Sequence, residues 1–173
     1  MFRLRFPPSE IQHWAARYSY PGEDRIVDKL APNARTRGYL TRGEFLALCY
    51  WKTPRSQPRC ARNSAAQIRE ATQIALASSD DRAKMYILRS LSGVAWPTAS
   101  VILHFCDHAP YPILDYRALW SLGFPKPPSY TFAFWGAYTD FTRHLSKSFR
   151  QDIRTVDRAL WQYSKEHQRK AGA

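Results

Sequence analysis

Two short runs carry residue types that could act together on a nucleotide. The first, Leu88 to Leu103, reads as the end of one helix, a tight turn through Ser92-Gly93-Val94-Ala95-Trp96, and the start of a second helix. A turn of this kind offers main-chain N–H groups at a helix N-terminus, where aligned peptide dipoles and unbonded donors suit a phosphate. The second run, Tyr111-Pro112-Ile113-Leu114-Asp115-Tyr116-Arg117, follows after a short loop and sets one carboxylate behind three apolar positions. A carboxylate beside a nucleotide sugar can stabilise an oxocarbenium-like cation and orient or deprotonate a water. Asp115 is therefore the candidate catalytic group. Asp is also among the best N-caps, so the same residue reads as the opening of a helix through Leu122.

Each of the neighbouring residues has two readings. Ser92, Gly93, Val94, Ala95, Trp96 and Thr98 form either a main-chain phosphate grip, with a bound monovalent ion at the turn, or a plain helical turn with glycine at its C-cap. Trp96 either stacks on a sugar or base or packs on its own domain. Tyr111 and Tyr116, with Tyr130, Phe132 and Trp135, are aromatic candidates for stacking on an extruded base, yet at this aromatic density most must belong to the core. Arg117 can meet a phosphate or pair with an acid.

The two runs together resemble the helix-hairpin-helix DNA glycosylase superfamily, which includes endonuclease III, the adenine glycosylases and the alkyl-base glycosylases. Leu91, Gly93, Val94, Thr98 and Ala99 match the family's L-P-G-V-G-x-x-T-A hairpin, and Pro112, Ile113 and Asp115 match its P-(I/V)-x-D motif. The resemblance implies one all-α domain over residues 1–173 with two helical lobes, the hairpin at about 84–104. The chain's ends would build one lobe and its middle the other. It further implies a protein of base-excision repair that binds double-stranded DNA, extrudes a base and hydrolyses its N-glycosidic bond with Asp115. The alternative is a non-catalytic DNA-binding protein with the same hairpin.

The resemblance also places Trp51 and Lys52 where relatives face the DNA and the base pocket, with Arg55, Arg59 and Arg62 extending a basic rim. The bland reading of these arginines is a solvated loop. Two departures sharpen the expectation. Ala95 replaces the second hairpin glycine, at a place where a positive φ would strain it. Pro97 occupies the position of the Schiff-base lysine in bifunctional members, which leaves a monofunctional hydrolase without lyase activity. Ala47 stands where the adenine glycosylases carry a catalytic Glu, which puts adenine removal by that mechanism in doubt.

Composition points the same way. The chain carries 26 Lys and Arg against 14 Asp and Glu, a formal net charge of +12 over 173 residues. That excess calls for a polyanionic partner, nucleic acid before an anionic membrane. No apolar run is long enough to span a bilayer, and the first residues do not make a signal peptide. Cys49, Cys60 and Cys106 are scattered and odd in number, as in reduced cytoplasmic proteins, and cannot build the four-thiolate iron–sulfur site of some relatives. With His104 and His108 they make no zinc-ligand spacing either. A cytoplasmic monomer without cofactor is expected.

The elements that must position these residues read as about eight or nine helices with short connections. Ser9 with Gln12, Thr41 with Glu44 and Ser64 with Gln67 are capping-box patterns that open helices. Ser78 or Ser79 is expected to cap the helix running to Leu91. Pro32 to Gly38 reads as a basic turn and Ser56 to Asn63 as a loop. A short helix is expected around Asp24 to Leu30, an aromatic helix about 130–149, and a last helix from about Asp152. The tail from His167 to Ala173 is expected to fray.

Overall fold

The computed structural model describes residues 2–168, so the expectation for residues 169–173 lies outside the described chain. Every regular element among the described residues is a helix. The α-helices are α1 (Ile11–Ala16), α2 (Glu23–Arg25), α3 (Ala31–Arg37), α4 (Arg42–Lys52), α5 (Gln57–Cys60), α6 (Ala65–Ala77), α7 (Asp81–Ser90), α8 (Trp96–Cys106), α9 (Tyr116–Ser121), α10 (Phe132–Ser148) and α11 (Ile153–His167). A π-helical stretch, Ile26–Leu30, joins α2 to α3, and 3-10 turns lie at Pro8–Glu10 and Pro54–Ser56. The chain divides into two compact units, residues 2–19 with 111–168, and Tyr20–Pro110. None of the described helices is long and apolar enough to cross a membrane.

The Tyr20–Pro110 unit is organised around α8. Its sequence is apolar on every side, and all of its residues except Pro97 are buried; a helix apolar all round belongs inside a domain. Phe45, Leu48 and Cys49 of α4, Ile68 and Ala75 of α6, and Met85 and Leu88 of α7 supply the rest of this core. Truncating one such side chain, as in Leu88→Ala, would cost about 2–5 kcal/mol through lost burial and a residual cavity.

The other unit packs α1, α9 and α10 against α11. The N-terminal segment runs alongside the end of α9, with Arg3 N–H donating to Leu122 O at 3.0 Å and Arg5 N–H to Ser121 O at 2.9 Å. Ser121 Oγ in turn donates to Leu160 O of α11 at 2.6 Å. Trp135 and Tyr138 of α10 are fully buried, and Tyr111 stacks on Trp135.

Local signals explain most boundaries. Thr41 with Glu44 and Ser64 with Gln67 form complete capping boxes, and Asp152 caps α11 by accepting from Thr155 N–H at 2.7 Å. Four expectations are corrected. Ser9 caps nothing, because Pro7 and Pro8 start a 3-10 turn, Pro8–Glu10, that leads straight into α1. Pro32 to Gly38 is helical, since Pro32 sits in the first turn of α3, where no N–H is needed, and Gly38 ends it at φ 79°. The loop expected from Ser56 contains α5, again with its proline, Pro58, in the first turn. The cap of α7 is Asp80, whose Oδ1 accepts from the N–H groups of Arg82 and Ala83, and not Ser78 or Ser79.

Candidate functional site

The turn between α7 and α8 owes its shape to one glycine. Gly93 has φ 81°, in the left-handed region that side chains avoid. Val94 N–H closes the turn on Leu91 O at 3.1 Å. Ala95, the N-cap of α8, has φ −95° and ψ 178°. It carries none of the strain expected of an alanine in a glycine position, because the left-handed residue is Gly93 alone. No side chain caps α8, and Pro97 in its first turn lacks an N–H. The main-chain donors of Trp96 and Thr98 therefore stand at the start of an eleven-residue helix without a side-chain cap, the arrangement an anion uses.

The turn is held from below by a residue the sequence does not single out. Asn63, 6 % exposed, accepts from Ser92 N–H through Oδ1 at 2.8 Å and donates through Nδ2 to Ser92 O at 2.9 Å. The same Nδ2 reaches Cys60 O at 2.8 Å. Gly93 lies directly on this segment. A Cβ there would come within 2.7 Å of both Cys60 N and Cys60 Sγ, and within 3.1 Å of Arg59 Cβ. Arg59 is thereby brought beside the turn, and Arg62 immediately precedes Asn63 in the chain; both are exposed, as is Arg55. Lys52 closes α4 and is half-buried.

Trp96 is 7 % exposed and packs on its own unit. The Arg89 guanidinium lies 4.3 Å from its ring centre and Tyr86 meets it edge-on. Arg89, on α7, adds a cation beside the turn that motif matching does not find. Its signal in the sequence is the spacing Tyr86–Arg89 on one helical face. Lys84 of α7 is 5 % exposed and forms an ion pair with Asp107 at the end of α8.

In the other unit, Asp115 is the N-cap of α9, and its Oδ1 accepts from Arg117 N–H at 2.8 Å. The preceding segment is fixed on both main-chain groups of Ile113. Its N–H donates to Asp157 Oδ1 at 3.0 Å, and its carbonyl accepts from Tyr138 Oη at 2.8 Å. Tyr111, Pro112, Ile113 and Leu114 are buried, whereas Asp115 is half-exposed. The apolar run thus anchors a carboxylate that reaches the surface. Burial, and secondarily the Asp115 charge, push the Tyr130 phenol above its usual value.

The aromatic candidates separate. Tyr111 is 2 % exposed and stacks on Trp135 at 5.8 Å and 17°, with Arg143 4.7 Å from its ring centre, so its ring serves the core. Tyr116 is 48 % exposed and has the Arg117 guanidinium 5.2 Å from its ring centre. Trp51 meets Tyr20 and Phe105 edge-on and lines a cleft of about 710 Å³ in the Tyr20–Pro110 unit, together with Tyr20, Arg25, Ala47, Tyr50 and Gln57. Ala47 brings no carboxylate to that wall.

The cysteines are buried and apolar in character. Burial pushes the Cys106 thiol up to about 12, and burial with the adjacent Cys60 raises Cys49. Among the described residues, no three His, Cys, Asp or Glu side chains converge as a metal site. No protein-family model matches the chain, and no curated protein or solved structure matches it.

Proposed function

We propose that the chain is a DNA-binding glycosylase of the helix-hairpin-helix kind, acting as a cytoplasmic monomer on duplex DNA. The observation that carries the reading is the conformation of the two runs singled out by the sequence. One is a turn with left-handed Gly93 before an α8 without a side-chain cap. The other is a buried Tyr111–Leu114 segment that fixes a half-exposed Asp115. The turn would bind a phosphate through main-chain N–H groups, with Arg59, Arg62 and Arg89 adding positive charge. Asp115 would stand beside the deoxyribose of an extruded nucleotide. As the N-glycosidic bond breaks, its carboxylate stabilises the cationic sugar and takes the proton of the water that adds at C1′. The base leaves with the bonding pair and takes a proton from solvent, to which Asp115 returns the one it accepted, giving free base and an abasic site.

A second reading has its own support: Asp115 caps α9 through Arg117 N–H, a role sufficient without catalysis. Excision on a panel of damaged duplexes separates the two. Asp115→Asn should keep duplex affinity while slowing base release by on the order of 10²–10⁴. Equal excision by parent and variant would leave Asp115 as a cap. Duplex affinity should also fall steeply with salt, log K changing by about −0.9 per phosphate contacted for each unit of log salt.

A further inference from the structure

We infer that Tyr116, Arg117, Trp161 and Lys165 form a second nucleic-acid contact, a ladder of alternating rings and cations that takes the sugar-phosphate strand running past Asp115. The four come from α9 and α11. The Arg117 guanidinium lies 5.2 Å from the Tyr116 ring centre and 5.5 Å from that of Trp161, and Lys165 Nζ lies 5.1 Å from the Trp161 ring centre on its other contact. Trp161 is fixed by Tyr18, which meets it edge-on at 5.2 Å. Trp161 and Lys165 are one helical turn apart on α11, on one face. Tyr116 and Lys165 are exposed.

Charge and geometry both favour a polyanion with flat bases. The two cations share one ring, and among the described residues neither forms an ion pair. The nearest acid in sequence, Glu166, does not compete for Lys165. It holds Arg17 at 2.9 Å, and hydrogen bonds from Arg17 and Gln162 lower its carboxyl to about 2. Two rings joined by a shared arginine, with a lysine on the second ring, make the pattern by which single strands are held, bases on rings and phosphates on cations. The ladder's first two residues follow Asp115 directly in the chain, at the start of the helix that Asp115 caps through Arg117 N–H. The inference rests on the nucleic-acid part of the proposed function and not on catalysis.

The test is fluorescence anisotropy with a labelled oligothymidylate and a labelled duplex over a salt series. Arg117→Gln with Lys165→Gln should weaken oligothymidylate binding about tenfold and reduce the log–log salt slope by about 1.4, two phosphates at about 0.7 each. Tyr116→Ala should weaken it about tenfold with an unchanged slope, since stacking releases no counterions. Lys126→Gln with Lys147→Gln, exposed cations of the same unit, removes equal charge elsewhere and should change the slope by less than half as much. Equal losses in the two double variants would overturn the ladder while leaving the nucleic-acid reading intact. A parent chain that binds neither probe, or that binds phosphatidylserine vesicles through Arg117 and Lys165 instead, overturns both.

Discussion

The side-chain amide of Asn63 engages both main-chain groups of Ser92, accepting its N–H at 2.8 Å and donating to its carbonyl at 2.9 Å. An amide side chain here plays the part of a neighbouring strand. It fixes the residue just before the left-handed Gly93 and so sets the direction of the following N–H groups. Asn63 is a positioning residue for the turn: its side-chain hydrogen bonds all go to the main chain of Ser92 and Cys60.

Removing this clamp should be felt in stability and in binding. Asn63→Ala leaves the Ser92 and Cys60 groups without their partner and should cost about 2–3 kcal/mol, read as a lower urea midpoint. Asn63→Asp keeps acceptance from Ser92 N–H but sets a carboxylate against the Ser92 and Cys60 carbonyls. It should be at least as destabilising, and more so above the carboxyl's titration than below it. If Asn63→Asp matches the parent at neutral pH, the amide does not donate to those carbonyls.

Gly93 should tolerate nothing larger. A side chain there meets the left-handed penalty of about 1–2 kcal/mol and overpacking of about 1–3 kcal/mol against Cys60. Gly93→Ala should therefore lose about 2–5 kcal/mol, and Gly93→Val more. Ala95→Gly tests the converse. With φ at −95°, alanine is already comfortable, and glycine should bring no stabilisation. A gain of stability on Ala95→Gly would show that the turn's strain lies at Ala95.

Asp115 caps a helix whatever else it does, and its substitutions separate the two roles. Asn caps as well as Asp, so Asp115→Asn should unfold at the parent's urea midpoint, whereas Asp115→Ala should cost about 1 kcal/mol. The two variants should be alike in base excision. A large excision defect in Asp115→Ala alone would tie activity to the cap and not to the charge.

The contrast among these residues shows what a sequence carries. Gly93 and Asp115 are legible because their roles are local: one residue type tolerates left-handed backbone, and one favours an N-cap. The boxes at Thr41–Glu44 and Ser64–Gln67 are legible for the same reason. Pro32 and Pro58 mislead, because proline breaks a helix interior but fits a first turn, and the apolar spacing alone does not say which applies. Asn63 is illegible: its partner Ser92 lies far along the chain, and nothing local marks a buried amide as a clamp. The split between core Tyr111 and exposed Tyr116 is likewise set by packing on Trp135, which composition does not reveal.

Acid should loosen the tie between α1 and α11. The Glu166 carboxyl is lowered to about 2 by hydrogen bonds from Arg17 and Gln162, against 4.5 when free. A depressed carboxyl stabilises the fold above its unfolded value and loses that contribution as pH falls from 4.5 toward 2. Both partners are exposed, so the effect is modest and screened by salt. Glu166→Gln should flatten the acid limb of the stability profile in that window at low ionic strength and change little at high salt. Identical acid limbs for parent and variant would mean that the pair contributes nothing.

Under the proposed function, base release should stop at the abasic site. Imine chemistry needs an amine that can reach the sugar, and Pro97, in the first turn of α8, supplies none. Lys84, the lysine of the preceding helix, is buried and paired with Asp107. That pairing and its burial keep its amine out of reach of a bound strand. The excised strand should therefore remain intact until treated with alkali or heat, and borohydride should trap no protein–DNA adduct. A trapped adduct that disappears in Lys52→Gln would assign a lyase step to the half-buried amine at the end of α4, and the hydrolytic assignment of Asp115 would then fail.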